Sequence, residues 1–116
     1  MTLDLLKQQL CTSHSLPFLA TEPYEGIAGG VFINFKVGTC HGMFTATDEA
    51  YQLVAVMNDQ PGNGHFTDVL EWFENSAKRD GKALEVVEIW NDRLRQHLIQ
   101  KRGFRLKENG DTVKTF

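Results

Sequence analysis

Gly62-Asn63-Gly64 stands between an apolar run and an amphipathic one. A strand feeding a Gly-X-Gly turn that opens a helix is an anion-site layout. Free backbone N–H groups and the positive helix end converge on one spot, and glycine lets a phosphate approach the backbone. The residues that would do this are Gly62, Asn63, Gly64, His65 and Phe66. His65 either faces the anion or is an ordinary turn residue. Glu88 lies within Val86-Val87-Glu88-Ile89-Trp90. A partly desolvated carboxylate in such a run is a candidate base, acting directly or through water. The plainer alternative is a surface glutamate paired with an arginine. Asn91 either hydrogen-bonds a ligand or caps the helix that follows it. Cys40 and His41 are adjacent, and neighbouring strand residues point to opposite faces, which argues against a thiol–imidazole pair. His14, His41, His65, His97, Cys11 and Cys40 show no metal-ligand spacing, so no metal is expected.

These residues need elements to position them. Leu3, Leu5, Leu6 and Leu10 suggest a short N-terminal helix with Thr2 at its cap. Residues 13–30 read as loop, with brief pairing at 16–20. Val31, Ile33, Phe35 and Val37 alternate as one face of a strand. Gly38 and Cys40-His41-Gly42 then read as a turn, 43–47 as a second strand and 51–58 as a third, buried on both faces. Short turns make these three an antiparallel meander. Phe66, Val69, Leu70, Phe73 and Ala77 form one helical stripe, with Trp72 on its flank and Gly81 at its end. Asp68, Glu71 and Glu74 suit the positive end of that helix. Residues 83–90 read as a strand parallel to the third, because a helix of suitable length separates them. A helix follows over 93–102, with Leu94, Leu98 and Ile99 inward and Gly103 as its stop. A hairpin of 104–107 with 112–116 turns at Asn109-Gly110. The prediction is one α+β domain over residues 1–116. Its sheet is mixed but mostly antiparallel, with an N-terminal meander, one parallel βαβ crossover and helices on its faces.

Composition narrows the class. At 41% hydrophobic and 23% charged, the chain is globular rather than disordered. No apolar run approaches the ~20 residues of a membrane span. The N-terminus lacks the basic start and apolar core of a signal peptide. Two cysteines make no disulfide framework, and a cytoplasmic setting is expected. The net charge of −3 conceals an asymmetry, since nine of the twelve Lys and Arg lie in residues 78–107. That cluster fits either an anionic ligand or a solvated basic face. The aromatics fall on core stripes rather than among the basic residues, which disfavours nucleic-acid stacking.

The elements and residues resemble the GNAT superfamily of N-acetyltransferases over about residues 30–116. The matching residues begin with Leu53-Val54-Ala55-Val56, Pro61-Gly62-Asn63-Gly64-His65-Phe66 and Val69-Leu70-Glu71-Trp72-Phe73. They continue through residues 84–89, Asn91-Asp92-Arg93-Leu94 and Lys101-Arg102-Gly103-Phe104. The resemblance implies acetyl-CoA as co-substrate and an amine as acceptor. It implies that splayed strand ends at 54–58, including Val54 and Val56, and at 84–88 hold the pantetheine arm. Backbone N–H groups of Gly62 to Phe66 would hold the pyrophosphate, with Asn91 also at the cofactor. Three features depart from that family. Asp59 stands where it usually has Arg or Gln, and Ile99 where it often has Tyr. Its first strand and first helix have no counterpart.

The expected activity is acetyl transfer to a primary amine. One alternative is a catalytically silent module binding through the basic 93–107 surface. Another is a dimer-forming domain with Trp72, Trp90 and the C-terminal hairpin in a homodimer interface.

Overall fold

Alternation and stripe patterns dictate most of the elements. A computed structural model of the chain describes residues 3–13, 16–26 and 29–116; the Thr2 cap lies outside them. The order is α1 (Leu3–Ser13), β1 (Phe18–Ala20), β2 (Tyr24–Glu25), β3 (Val31–Val37), β4 (Cys40–Ala46), β5 (Ala50–Asn58), α2 (His65–Arg79), β6 (Ala83–Val87), α3 (Asp92–Lys101), β7 (Arg105–Leu106) and β8 (Thr112–Lys114). The strands join in the order β1-β3-β4-β5-β6-β8-β7, with β2 also on β3. Every pairing is antiparallel except β5 with β6, which is parallel as expected. Among the described residues no helix is long and apolar enough to cross a membrane.

Cross-strand register fixes the faces. Ile33 lies opposite Phe44, Phe44 opposite Leu53, and Leu53 opposite Val86, so all four share one face. That face meets Leu6 and Leu10 of α1, the Val69-Leu70-Phe73-Ala77 stripe of α2, and Leu98 of α3 in one buried cluster. Helices were expected on the sheet's faces; all three described helices instead pack on this one. Asn34, Met43, Val54 and Val87 line up on the other face, which carries no described helix.

Three expectations need correction. Cys40-His41-Gly42 is the start of β4, not a turn; the chain reverses at Gly38 and Thr39 alone. The strand expected over 83–90 stops at Val87, leaving Trp90 82% exposed. Glu74, read as a complement to the positive end of α2, lies beyond the first turn and is buried. Its carboxylate meets Arg102, the C-cap of α3, at 2.5 Å and also Lys114 of β8. At the far end of α2, the Tyr51 hydroxyl donates to Asp80. The Arg79 guanidinium beside Asp80 holds that carboxyl down to about 2.

Candidate functional site

The parallel pair comes apart where the sequence gives no warning. β5 and β6 pair from Ala50–Ala83 to Val54–Val87, then stop. The next two residues in register would be Ala55 and Glu88. Both are left-handed, at φ 51° and 53°, and they are the only described non-glycine residues with positive φ. L residues avoid that region at about 1–2 kcal/mol each, so two facing each other across a gap mark a constrained place. β5 runs on to Asn58 against β4 alone, since Asn58 pairs with Cys40 and Met57 with His41. β6 turns off at Glu88, whose N–H donates to Asp111 Oδ1 at 3.1 Å. Residues 55–58 thus present a strand edge with no partner on the β6 side.

The strain makes a prediction. Ala55→Gly relieves about 1–2 kcal/mol of left-handed strain and adds about 0.4–1 kcal/mol of unfolded-state entropy. Urea unfolding should therefore show a net gain of about 0.5 kcal/mol, where glycine in a regular strand would be destabilising. A loss of stability contradicts the left-handed assignment.

This edge leads directly to the glycine turn. Gly62 and Gly64 have φ 91° and 85°, and a Cβ at either would meet nothing within 4 Å. Their glycine identity therefore answers to backbone conformation, and the space over them is open. Gly64 is the N-cap of α2 and has no side-chain cap bond. The first helical bond is Asp68 N–H to Gly64 O, at 3.0 Å. Asn63 Oδ1 takes the His65 N–H at 3.1 Å. Among the described residues, the N–H groups of Gly62, Gly64, Phe66 and Thr67 have no protein acceptor. Four of the turn's donors are therefore available to an anion.

A polar lock holds the turn in place. Thr39 Oγ1 donates to Asn58 Oδ1 at 2.6 Å and accepts from Asn63 Nδ2 at 2.7 Å. Asn58 Nδ2 donates to Asn63 Oδ1 at 2.9 Å. The Thr39 N–H donates to Nδ1 of His65 at 2.9 Å. His65 therefore has one ring nitrogen committed to the β3–β4 turn, and the neutral ring carries its proton on Nε2. Sequence reasoning missed Thr39 and Asn58, because only tertiary contact between two turns reveals them.

Asp59, the carboxylate beside the turn, bonds His41 Nε2 at 2.8 Å. The carboxylate nearest the turn in sequence thus has a partner one strand away. Cys40 points into the core while His41 is on the opposite face, so the two do not meet. Burial, then the Asp59 charge, pushes the Cys40 thiol up to about 12, which leaves it inert.

The other predicted site residues fall as follows. Val54 is the last residue of β5 paired with β6, buried on the helix-free face. Val56 is buried in the helix-side core, so only its backbone can serve the split. Phe66 packs partly against that core. Glu88 lies at the split but is exposed, contrary to the desolvation expected from its neighbours. Asn91 is the N-cap of α3, its side chain accepting from Arg93 N–H at 2.9 Å. Trp72 is partly buried and meets Phe73 edge-on at 5.0 Å.

Four of the nine basic residues in 78–107 are committed to internal ion pairs. Arg79 pairs with Asp80, Arg95 with Asp92, Arg102 with Glu71 and Glu74, and Lys107 with Glu85. These pairs interrupt the continuous cationic stripe an anionic polymer needs. A shallow depression lined by Glu71, Glu74, Lys78, Arg102 and Lys114 lies among these pairs, away from the split. No family model, curated protein or solved structure matches the chain.

Proposed function

We propose that the chain binds acetyl-CoA in the split between β5 and β6 and transfers the acetyl group to a primary amine, as a small GNAT-like N-acetyltransferase. One observation carries this reading. The parallel strands part at two opposed left-handed residues, Ala55 and Glu88, beside a helix N-terminus with free N–H groups. An extended amide-bearing arm fits an unpaired strand edge, since main-chain hydrogen bonds suit any backbone-like partner. A diphosphate fits four N–H donors at a positive helix end. No other described feature joins an amide-binding edge to an anion-binding turn.

In the reaction, the neutral amine attacks the thioester carbonyl, forming C–N and breaking C–S. The amine loses a proton and the departing thiolate gains one. Positioning and backbone hydrogen bonds to the carbonyl oxygen supply much of the acceleration. Glu88 stands at the split in reach of solvent, and it relays the amine's proton through water. A second reading, a CoA-binding module without turnover, is favoured by that same exposure and by Ile99 at the position of a thiolate acid.

Acetyl-CoA at 100 times its dissociation constant should stabilise the fold by ~2.7 kcal/mol, roughly 10 °C in melting temperature for a chain of this size. Gly64→Glu should remove the shift by placing charge and bulk over the turn. No shift at millimolar acetyl-CoA sinks the reading. A shift that survives Gly64→Glu moves the ligand elsewhere. Binding without product from any amine tried selects the silent module.

A further inference from the structure

Gly42 is not in a turn, and its φ is not positive. Its glycine identity therefore has no conformational cause. The cause is crowding. A Cβ at Gly42 would lie 2.9 Å from Val56 Cα, 3.1 Å from Val54 O and 3.3 Å from Val56 Cβ. The first two are backbone atoms of β5, which cannot swing aside as the end of a side chain can.

The register explains the crowding. His41 pairs with Met57 and Met43 pairs with Val54, so Gly42 alone opposes both Ala55 and Val56. Two residues against one is a β-bulge, and it bends the strand that carries the extra residue. Here β5 carries it, at Ala55. The bend presses β5 into β4 at Gly42, and at the same residue β5 leaves β6.

We infer that Gly42 is the positioning residue that opens the split: only a side chain of hydrogen lets β5 bulge toward β4 and away from β6. The ligand-binding consequence rests on the acetyl-CoA reading, whereas the geometric consequence does not. With a methyl at position 42, the bulge is expelled. Residues 56–58 then slip by one against β4 to absorb the extra residue. Ala55 returns to extended backbone and the parallel ladder runs on to Ala55–Glu88, closing the edge that the ligand needs. Gly42 itself touches no ligand.

The test uses the full chain with Gly42→Ala, read by NMR. The expected result is a new cross-strand contact between Ala55 and Glu88, slowed amide exchange in residues 55–58, and affinity for acetyl-CoA reduced about tenfold or more. An unchanged split, with no such contact and wild-type exchange, overturns the inference. If Gly42→Ala does not fold, deletion of Ala55 decides. It removes the extra residue while keeping Val54 and Val56 on their present faces, so the ladder becomes regular. The inference expects the deletion variant to fold and to lose no stability when Gly42→Ala is added. A further loss in that double variant overturns it. If the wild type binds no acetyl-CoA, the functional reading fails, and the Ala55–Glu88 contact still tests Gly42.

Discussion

Glu74→Ala lowers the unfolding free energy by about 3 kcal/mol, the low end of the range for breaking a buried ion pair. The Glu74 side chain is only 9% exposed, and each carboxylate oxygen has its own cation, Arg102 Nη2 and Lys114 Nζ. It therefore ties α2 to α3 and to β8 through one group. Alanine would leave a guanidinium that already has a buried, unpartnered Nε, with only Glu71 at 3.6 Å in compensation. Arg102 and Lys114 are about a quarter exposed, so water recovers part of the loss and the low end applies. Urea unfolding with an unchanged slope measures it. A loss under about 1 kcal/mol would make this an ordinary surface pair.

Gly38→Ala should be comparably damaging, by about 2–4 kcal/mol. Gly38 has φ 59°, and a Cβ there would overlap Nδ1 of His65 and lie 2.7 Å from its Cε1. The left-handed penalty is about 1 kcal/mol, and the clash with a ring held in place adds about 1–3 kcal/mol. The ring cannot retreat without breaking its bond from the Thr39 N–H. Faster amide exchange at Thr39 should therefore accompany the lost stability. Destabilisation with normal protection at Thr39 would show that the ring does not hold the turn.

Much of the frame could be read from local pattern. The α2 stripe and, from Ile33 onward, the alternation in β3 point inward where expected, whereas Val31 is exposed. A helix between two strands was enough to foresee the parallel pair. The errors arise where a residue answers to a distant partner. Gly42 looks like punctuation, yet it is a strand residue shaped by the β5 backbone. Glu74 looks like a dipole complement, yet residues 28 and 40 positions away hold it. Glu88 looks like strand continuation, and the Val86-Val87-Glu88-Ile89-Trp90 pattern supports that. The backbone turns off there because Asp111 captures its N–H.

The candidate site divides the same way. Gly62 and Gly64 are legible because positive φ selects glycine. Ala55 is not, since nothing about alanine announces a left-handed residue. Asp59 is legible only as a departure from Arg or Gln at its position; its partner His41 comes from the neighbouring strand. The turn lacks a cation of its own, and its capacity for an anion lies in N–H groups that the Thr39–Asn58–Asn63–His65 lock holds ready.

The most direct test is an amide NMR map of the full chain titrated with acetyl-CoA. The account predicts shifts concentrated in residues 55–58 along the open edge, in 62–67 at the turn and helix start, and at Glu88. Silent amides there at millimolar ligand would contradict it. So would shifts confined to another surface, such as the depression around Glu71, Lys78 and Lys114.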